Sequence, residues 1–173
     1  MNLDPREIEQ ILSVTPDSPE NAELISLLTA KHAAAKIVKW PYSVNAQFFV
    51  AGANNGLANA ATATVNVNID ASAPFIIVSQ SFYANTANAT LTVATQVIPN
   101  VIVLLTDTGS NRQLMDVAVP IWNIFGNGQF PFVLPEPKLM QANSQLQVTV
   151  TNREAAIAFN LYLTFSGYRL YKL

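Results

Sequence analysis

Few residues in this chain are of the types that do chemistry, and none stand at a spacing that assembles a reaction centre. His32 is the single histidine and there is no cysteine. A disulfide, a thiolate metal site and a cysteine nucleophile are thereby excluded, and with no second His or Cys near His32 neither a metal site nor a Ser–His pair is expected. The acids Asp70, Asp107, Asp116, Glu136 and Glu154 fall on separate loops, a spacing that does not point to the paired carboxylates of a glycosidase. The expectation is no catalytic residue, no metal and no cofactor. Side chains with reach for a ligand are aromatic instead. Trp122, Phe125, Phe130 and Phe132 gather around Gly126-Asn127-Gly128 as a candidate platform for a sugar or a protein, set against the simpler role of filling one end of a core. Tyr162 and Tyr168, with Arg169 and Lys172 on the outer face or tail of the last strand, are candidates for a protein interface.

The elements that must position these residues read as strands. In Gln145 to Thr151 apolar and polar residues alternate, which puts Leu146, Val148 and Val150 on one face. The pattern repeats in Ile157, Phe159, Leu161, Leu163 and Phe165, and the polar link Asn152-Arg153-Glu154-Ala155 between them has hairpin composition. An antiparallel hairpin with one buried face is expected there. Pro131, Pro135 and Pro137 each lack an amide donor, so the segment around them must be an edge strand or a crossing between sheets. Further strands are expected at 44–50, 62–69, 75–82, 90–97, 101–106, 113–119 and 129–134, with a loop rich in Ala, Asn and Thr leading into the second. Eight or nine short strands without intervening helices mean a β-sandwich or barrel, and the antiparallel last pair and the count favour a jelly-roll-like antiparallel sandwich over an immunoglobulin one.

Charge marks the domain boundary. Half of the charged residues precede Pro41, and none lies between Pro41 and Ile69. Asp4-Pro5-Arg6-Glu7 starts a helix with a cap, a first-turn proline and a capping-box acid. Thr15 to Glu20 ends it and starts a second, whose closing Lys31, Lys36 and Lys39 suit the negative helix pole. Residues 1–40 are thus expected to be a two-helix arm, and 41–173 the sandwich. Ile8, Ile11, Leu12, Leu24 and Leu28 form the sticky faces of the arm, each able to contribute about 1 to 2 kcal/mol when buried in a partner's groove. With 12% charged residues and a net charge of −2, the chain has no basic footprint for nucleic acid. No apolar run reaches the roughly 18 residues of a membrane helix, and the first residues lack the pattern of a signal peptide. Synthesis in the cytoplasm, solubility, and no membrane or nucleic-acid partner are expected.

Two resemblances add to this reading. Leu104-Leu105-Thr106-Asp107-Thr108-Gly109-Ser110 resembles the active-site loop of aspartic proteases, which implies a homodimer with Asp107 of each copy sharing one proton. The same residues are fully explained as a turn between two strands. More of the chain is involved in the second. Asp116-Val117-Ala118-Val119-Pro120, Ile124-Phe125-Gly126-Asn127-Gly128-Gln129, Phe132-Val133-Leu134-Pro135-Glu136-Pro137, Ala142-Asn143-Ser144-Gln145-Leu146, Val150-Thr151-Asn152 and Phe165-Ser166-Gly167-Tyr168-Arg169-Leu170 look like the C-terminal half of small jelly-roll virion proteins of tailed bacteriophages. That likeness implies a non-enzymatic minor capsid, decoration or head-fibre component located in the virion. Its expected partners are copies of itself, a trimer first, and the major capsid protein or another virion protein reached through the arm. A carbohydrate- or receptor-binding module using Trp122 is the alternative from another class.

Overall fold

The structure, a computed structural model, describes residues 37–49, 57–87, 96–110 and 112–172. The helices expected over the first 36 residues, and with them Ile8, Ile11, Leu12, Leu24 and Leu28, lie outside the described residues, as does most of the strand expected at 90–97. Among the described residues nine strands follow in chain order: β1 (Ile37–Phe48), β2 (Thr62–Asn68), β3 (Phe75–Thr86), β4 (Val101–Asp107), β5 (Arg112–Gln113), β6 (Val119–Pro120), β7 (Phe132–Met140), β8 (Gln145–Asn152) and β9 (Phe159–Lys172). They form two antiparallel sheets. One has the order β1-β9-β3-β7, the other β2-β8-β4-β5 with β6 also on β4.

Apart from the run β4-β5-β6, every connection carries the chain from one sheet to the other. This overturns the expected hairpin. β8 pairs with β2 and β4, and β9 pairs with β1 and β3. The two strands therefore face each other across the interior instead of sharing a ladder. Alternation correctly identified the buried faces, since Leu146, Val148, Val150, Leu161, Leu163 and Phe165 are all fully buried. It carries no information on which strand each face is hydrogen-bonded beside. Ile157, grouped with that inner row, lies before β9 begins and is exposed.

The crossing from β8 to β9 is pinned by Asn152. Its side-chain amide donates to the carbonyls of Ile157 at 2.8 Å, Ala58 at 3.1 Å and Leu57 at 3.3 Å, and its oxygen accepts from the Glu154 amide at 2.9 Å. One buried side chain thus serves two loops, 57–58 and 153–157, beside the single antiparallel bridge of Leu57 to Phe159.

Two other expectations shift. β1 begins at Ile37, so Val38 and Lys39, read as the end of a helix, are strand residues paired with Tyr171 and Leu170. Pro41 sits within β1 because β1 is an edge strand, where a missing amide costs no ladder bond. The strand expected at 113–119 is two short pieces, β5 and β6, both on β4, with a bend between them that turns Leu114 and Met115 toward the core.

Of the two roles expected for the proline-rich segment, edge strand or crossing, it takes the first, but the strand spans Phe132–Met140 instead of 129–134, and it is broken. β7 pairs with β3 through Ile77↔Lys138, then resumes at Ser79↔Val133. Leu134-Pro135-Glu136-Pro137 spans that gap opposite Val78 alone, so the edge bows away from the sheet. On its other side β3 shifts by one residue against β9 at the same point. Gly167 faces this irregularity, where a Cβ would lie 1.8 Å from the Ile76 carbonyl oxygen; only glycine lets the two backbones approach so closely.

Replacing Asn152 by Ala should lower unfolding free energy by on the order of 2 kcal/mol, because the Ile157 carbonyl and the Glu154 amide lose their side-chain partner. Asn152→Asp should cost at least as much at neutral pH, because the carboxylate oxygen that replaces the amide nitrogen faces only carbonyl acceptors. Urea unfolding followed by tryptophan fluorescence reads both. An unchanged midpoint for either variant would contradict this role.

Candidate functional site

The outer faces of β1, β9 and β3 make one continuous surface, and the side chains on it come from the alternate residues of each strand. Register sets Asn45 beside Thr164 and Ser43 beside Ser166. The hydroxyl of Thr164 donates to the Asn45 side-chain oxygen at 2.8 Å, and the Ser43 and Ser166 hydroxyls lie 3.0 Å apart. Tyr162 stands between Tyr83 and Phe49, with ring centroids at 6.0 and 5.4 Å. Tyr168 lies under the ammonium of Lys39 at 5.6 Å. Across residues 39–47, 79–85 and 160–168 Lys39 is the single charge. A surface of hydroxyls, amides and aromatic rings with so little charge is the composition of an interface centre. The structure therefore brings Tyr162 and Tyr168, both expected as interface residues, onto one face.

Arg169 does not join them. It falls on the inner side at the end of the sandwich, its guanidinium 3.7 Å from the Tyr42 ring centroid, and Tyr42 meets Phe75 edge-on at 6.2 Å. Arg169 also donates to the Tyr171 hydroxyl at 3.4 Å and lies 3.9 Å from Asp70. It closes the core as a flat cation over a ring. The Ser72 amide at 2.7 Å, then the Ser72 hydroxyl and, more weakly, Arg169, hold the Asp70 carboxyl below the usual carboxylate range. A lowered carboxyl stabilises the fold above its unfolded pKa, and that contribution is lost as pH falls through the folded value.

The aromatic platform divides. Trp122, on a single 3-10 turn over Ile121–Asn123, is half exposed and stands edge-on to Phe82 at 4.7 Å. Phe130 is exposed, with its amide held by the Asn127 side chain at 2.7 Å. Phe125 is 1% exposed and packs on Phe165 at 5.6 Å, so it belongs to the core and not to a ligand surface. Gly126 forces this split. A Cβ there would meet the Phe130 carbonyl oxygen at 1.9 Å, and its backbone bonds β3 at Gln80 and Phe82, which draws Phe125 inward.

Asp107 is committed to its own turn. It is 5% exposed, and its carboxylate accepts from the Gly109 amide at 3.0 Å, the Ser110 amide at 3.3 Å and the Ser110 hydroxyl at 2.8 Å. The Asp-Thr-Gly-Ser sequence thus folds as the turn its composition allows. Among the described residues no three His, Asp or Glu side chains come together to hold a metal ion, and no helix is long and apolar enough to cross a membrane. Sequence reasoning missed the structural roles of Asn152 and Arg169, because some of their partners, Leu57 and Ala58 for Asn152 and Tyr42 and Asp70 for Arg169, are far away in the chain.

Fold and surface together define a two-sheet antiparallel β-sandwich whose outer β1, β9 and β3 face carries Lys39 as its single charge. No protein-family model matches the chain, and no curated protein matches it. Among solved structures it is similar to the infectious bursal disease virus VP2 subviral particle, at 11% identity and a TM-score of 0.28; the match covers 81% of this chain and 33% of that one. The chain thus spans about a third of that protein's length.

Asp107→Ala should lose on the order of 1 to 3 kcal/mol of stability and speed amide exchange at Gly109 and Ser110. Hydrogen exchange followed by NMR reads the local effect, and unchanged protection there would remove the turn-closing role.

Proposed function

We propose that this chain is a non-enzymatic structural component of a virion, a minor head or decoration protein of the tailed-phage type. Its β-domain assembles with copies of itself through the outer face of β1, β9 and β3, and the segment before β1 docks on the major capsid protein or another virion part. The observation that carries this reading is the strand order, β1-β9-β3-β7 against β2-β8-β4-β5 with sheet-switching connections. That order is a jelly roll, with β5 and β6 sharing the place of one strand, an architecture used by capsid and lectin domains. Because the fold also serves other functions, the surface is the second support. The low charge and the Tyr162 ring row suit burial against another subunit, which in closed assemblies repeats the same patch by symmetry.

Sedimentation of the full chain at micromolar concentration should give a defined oligomer, a trimer in the first instance. Tyr162→Glu, which places a charge at the centre of the uncharged face, should shift it toward monomer with unchanged circular dichroism. A monomer at all concentrations for the unaltered chain would overturn self-assembly. An oligomer indifferent to Tyr162→Glu would move the interface off this face. A version starting at Lys36 keeps all of β1, whereas one starting at Pro41 would remove its first four residues. The longer version should retain the oligomer and lose particle binding.

A further inference from the structure

The bowed edge of β7 opens a cavity of about 460 Å³ between the sheets. Leu134 and Pro135 of the bow form one wall, Ile77 and Phe165 line it from the same sheet, and Leu105 and Leu146 line it from the other. The cause is local: with Pro135 and Pro137 unable to donate, Leu134–Pro137 leaves β3, and no strand edge fills the space behind it. Into this apolar space β3 places one polar side chain. Gln80 is paired with Phe165 in register and so points inward, is 5% exposed, and its side-chain oxygen Oε1 has no hydrogen-bond partner. A buried amide oxygen without a donor is costly in a folded protein. Placed in a cavity large enough for a small molecule, it has the geometry of a binding determinant.

We propose that this cavity is a binding site for a small amphiphile, an apolar body carrying one hydroxyl or N–H donor that hydrogen-bonds Gln80 Oε1. The mouth is marked by the exposed lining residues Arg112, Gln113 and Glu136, so a polar end can remain in water while the apolar body is enclosed. The class follows from the lining: Lys138 and the exposed Arg112, Gln113 and Glu136 are polar, the rest of the wall around Gln80 is apolar, and Gln80 Oε1, the buried acceptor there without a partner, selects for a donor. The site does not depend on which assembly the protein joins.

The test uses the full chain with 1-octanol and with octyl methyl ether, which keeps the apolar body and removes the donor. Titration followed by NMR shifts of residues around Gln80 should show saturable 1-octanol binding, at least tenfold tighter than the ether. Gln80→Met keeps length and removes the amide, and should bring the two ligands to within about twofold of each other. Leu134→Trp, which fills the cavity with a side chain, should abolish binding of both. No saturable binding of 1-octanol, or equal affinity of the unaltered chain for both ligands, would overturn the proposal. The second outcome would mean that water satisfies Gln80 and the cavity takes apolar matter without selection. Should Gln80→Met fail to fold, the comparison of the two ligands on the unaltered chain still decides.

Discussion

The structure depends on β8 and β9 packing face to face. Leu146, Val148 and Val150 on one side and Phe159, Leu161, Leu163 and Phe165 on the other are almost wholly removed from water, at roughly 1.5 to 3 kcal/mol for each large side chain. Each strand is flanked by a partner on both edges of its own sheet, so the two buried rows become the centres of two sheets. Once these rows face each other, the link between them must arch from sheet to sheet, and Asn152 is the side chain that satisfies the arch. The other sheet-switching connections follow the same geometry, with strands added in pairs on either side of the first two.

The edges of the sheets are where this order relaxes. β1 carries Pro41 and β7 carries Pro135 and Pro137, and a proline at an edge limits further strand addition. In β1 the proline leaves pairing with β9 intact. In β7 two prolines in three residues break the pairing with β3, and the same missing amides that protect the edge also open the interior behind it. Protection of the edge and the Gln80 cavity therefore have one physical origin. The proposed assembly through the outer face of β1, β9 and β3 would leave that broken edge accessible, so the two proposed roles would use separate surfaces.

What was legible in the sequence was the part governed by local periodicity. The inner rows of β8 and β9, the first residues of β2 and β4, the edge position of the proline segment and the turn at Asp107 all follow from residue type and spacing. What was not legible depends on partners distant in the chain. Period two says which face of a strand is buried and is silent on its neighbours, so two strands joined by a short polar link read as a hairpin although they lie in different sheets. Arg169 has the outward look of a charged residue near a terminus, and it turns inward because Tyr42 offers a ring at the end of the core. Phe125 belonged by composition to an exposed cluster, and Gly126 draws it inside. Gln80 shows nothing in sequence to separate it from a solvent-facing glutamine, since its burial arises from the shift beside Val78.

The pairing of β8 and β9 can be read directly from backbone nuclear Overhauser effects on the isotopically labelled full chain. The account predicts cross-strand backbone contacts of Val148 with Leu105 and Val65, and of Leu163 with Ala46 and Phe82, while β8 and β9 meet only through side chains. Backbone contacts between Val148 or Val150 and the residues of β9 would restore the hairpin. That result would contradict the sandwich on which the cavity, the outer face and the assembly all rest.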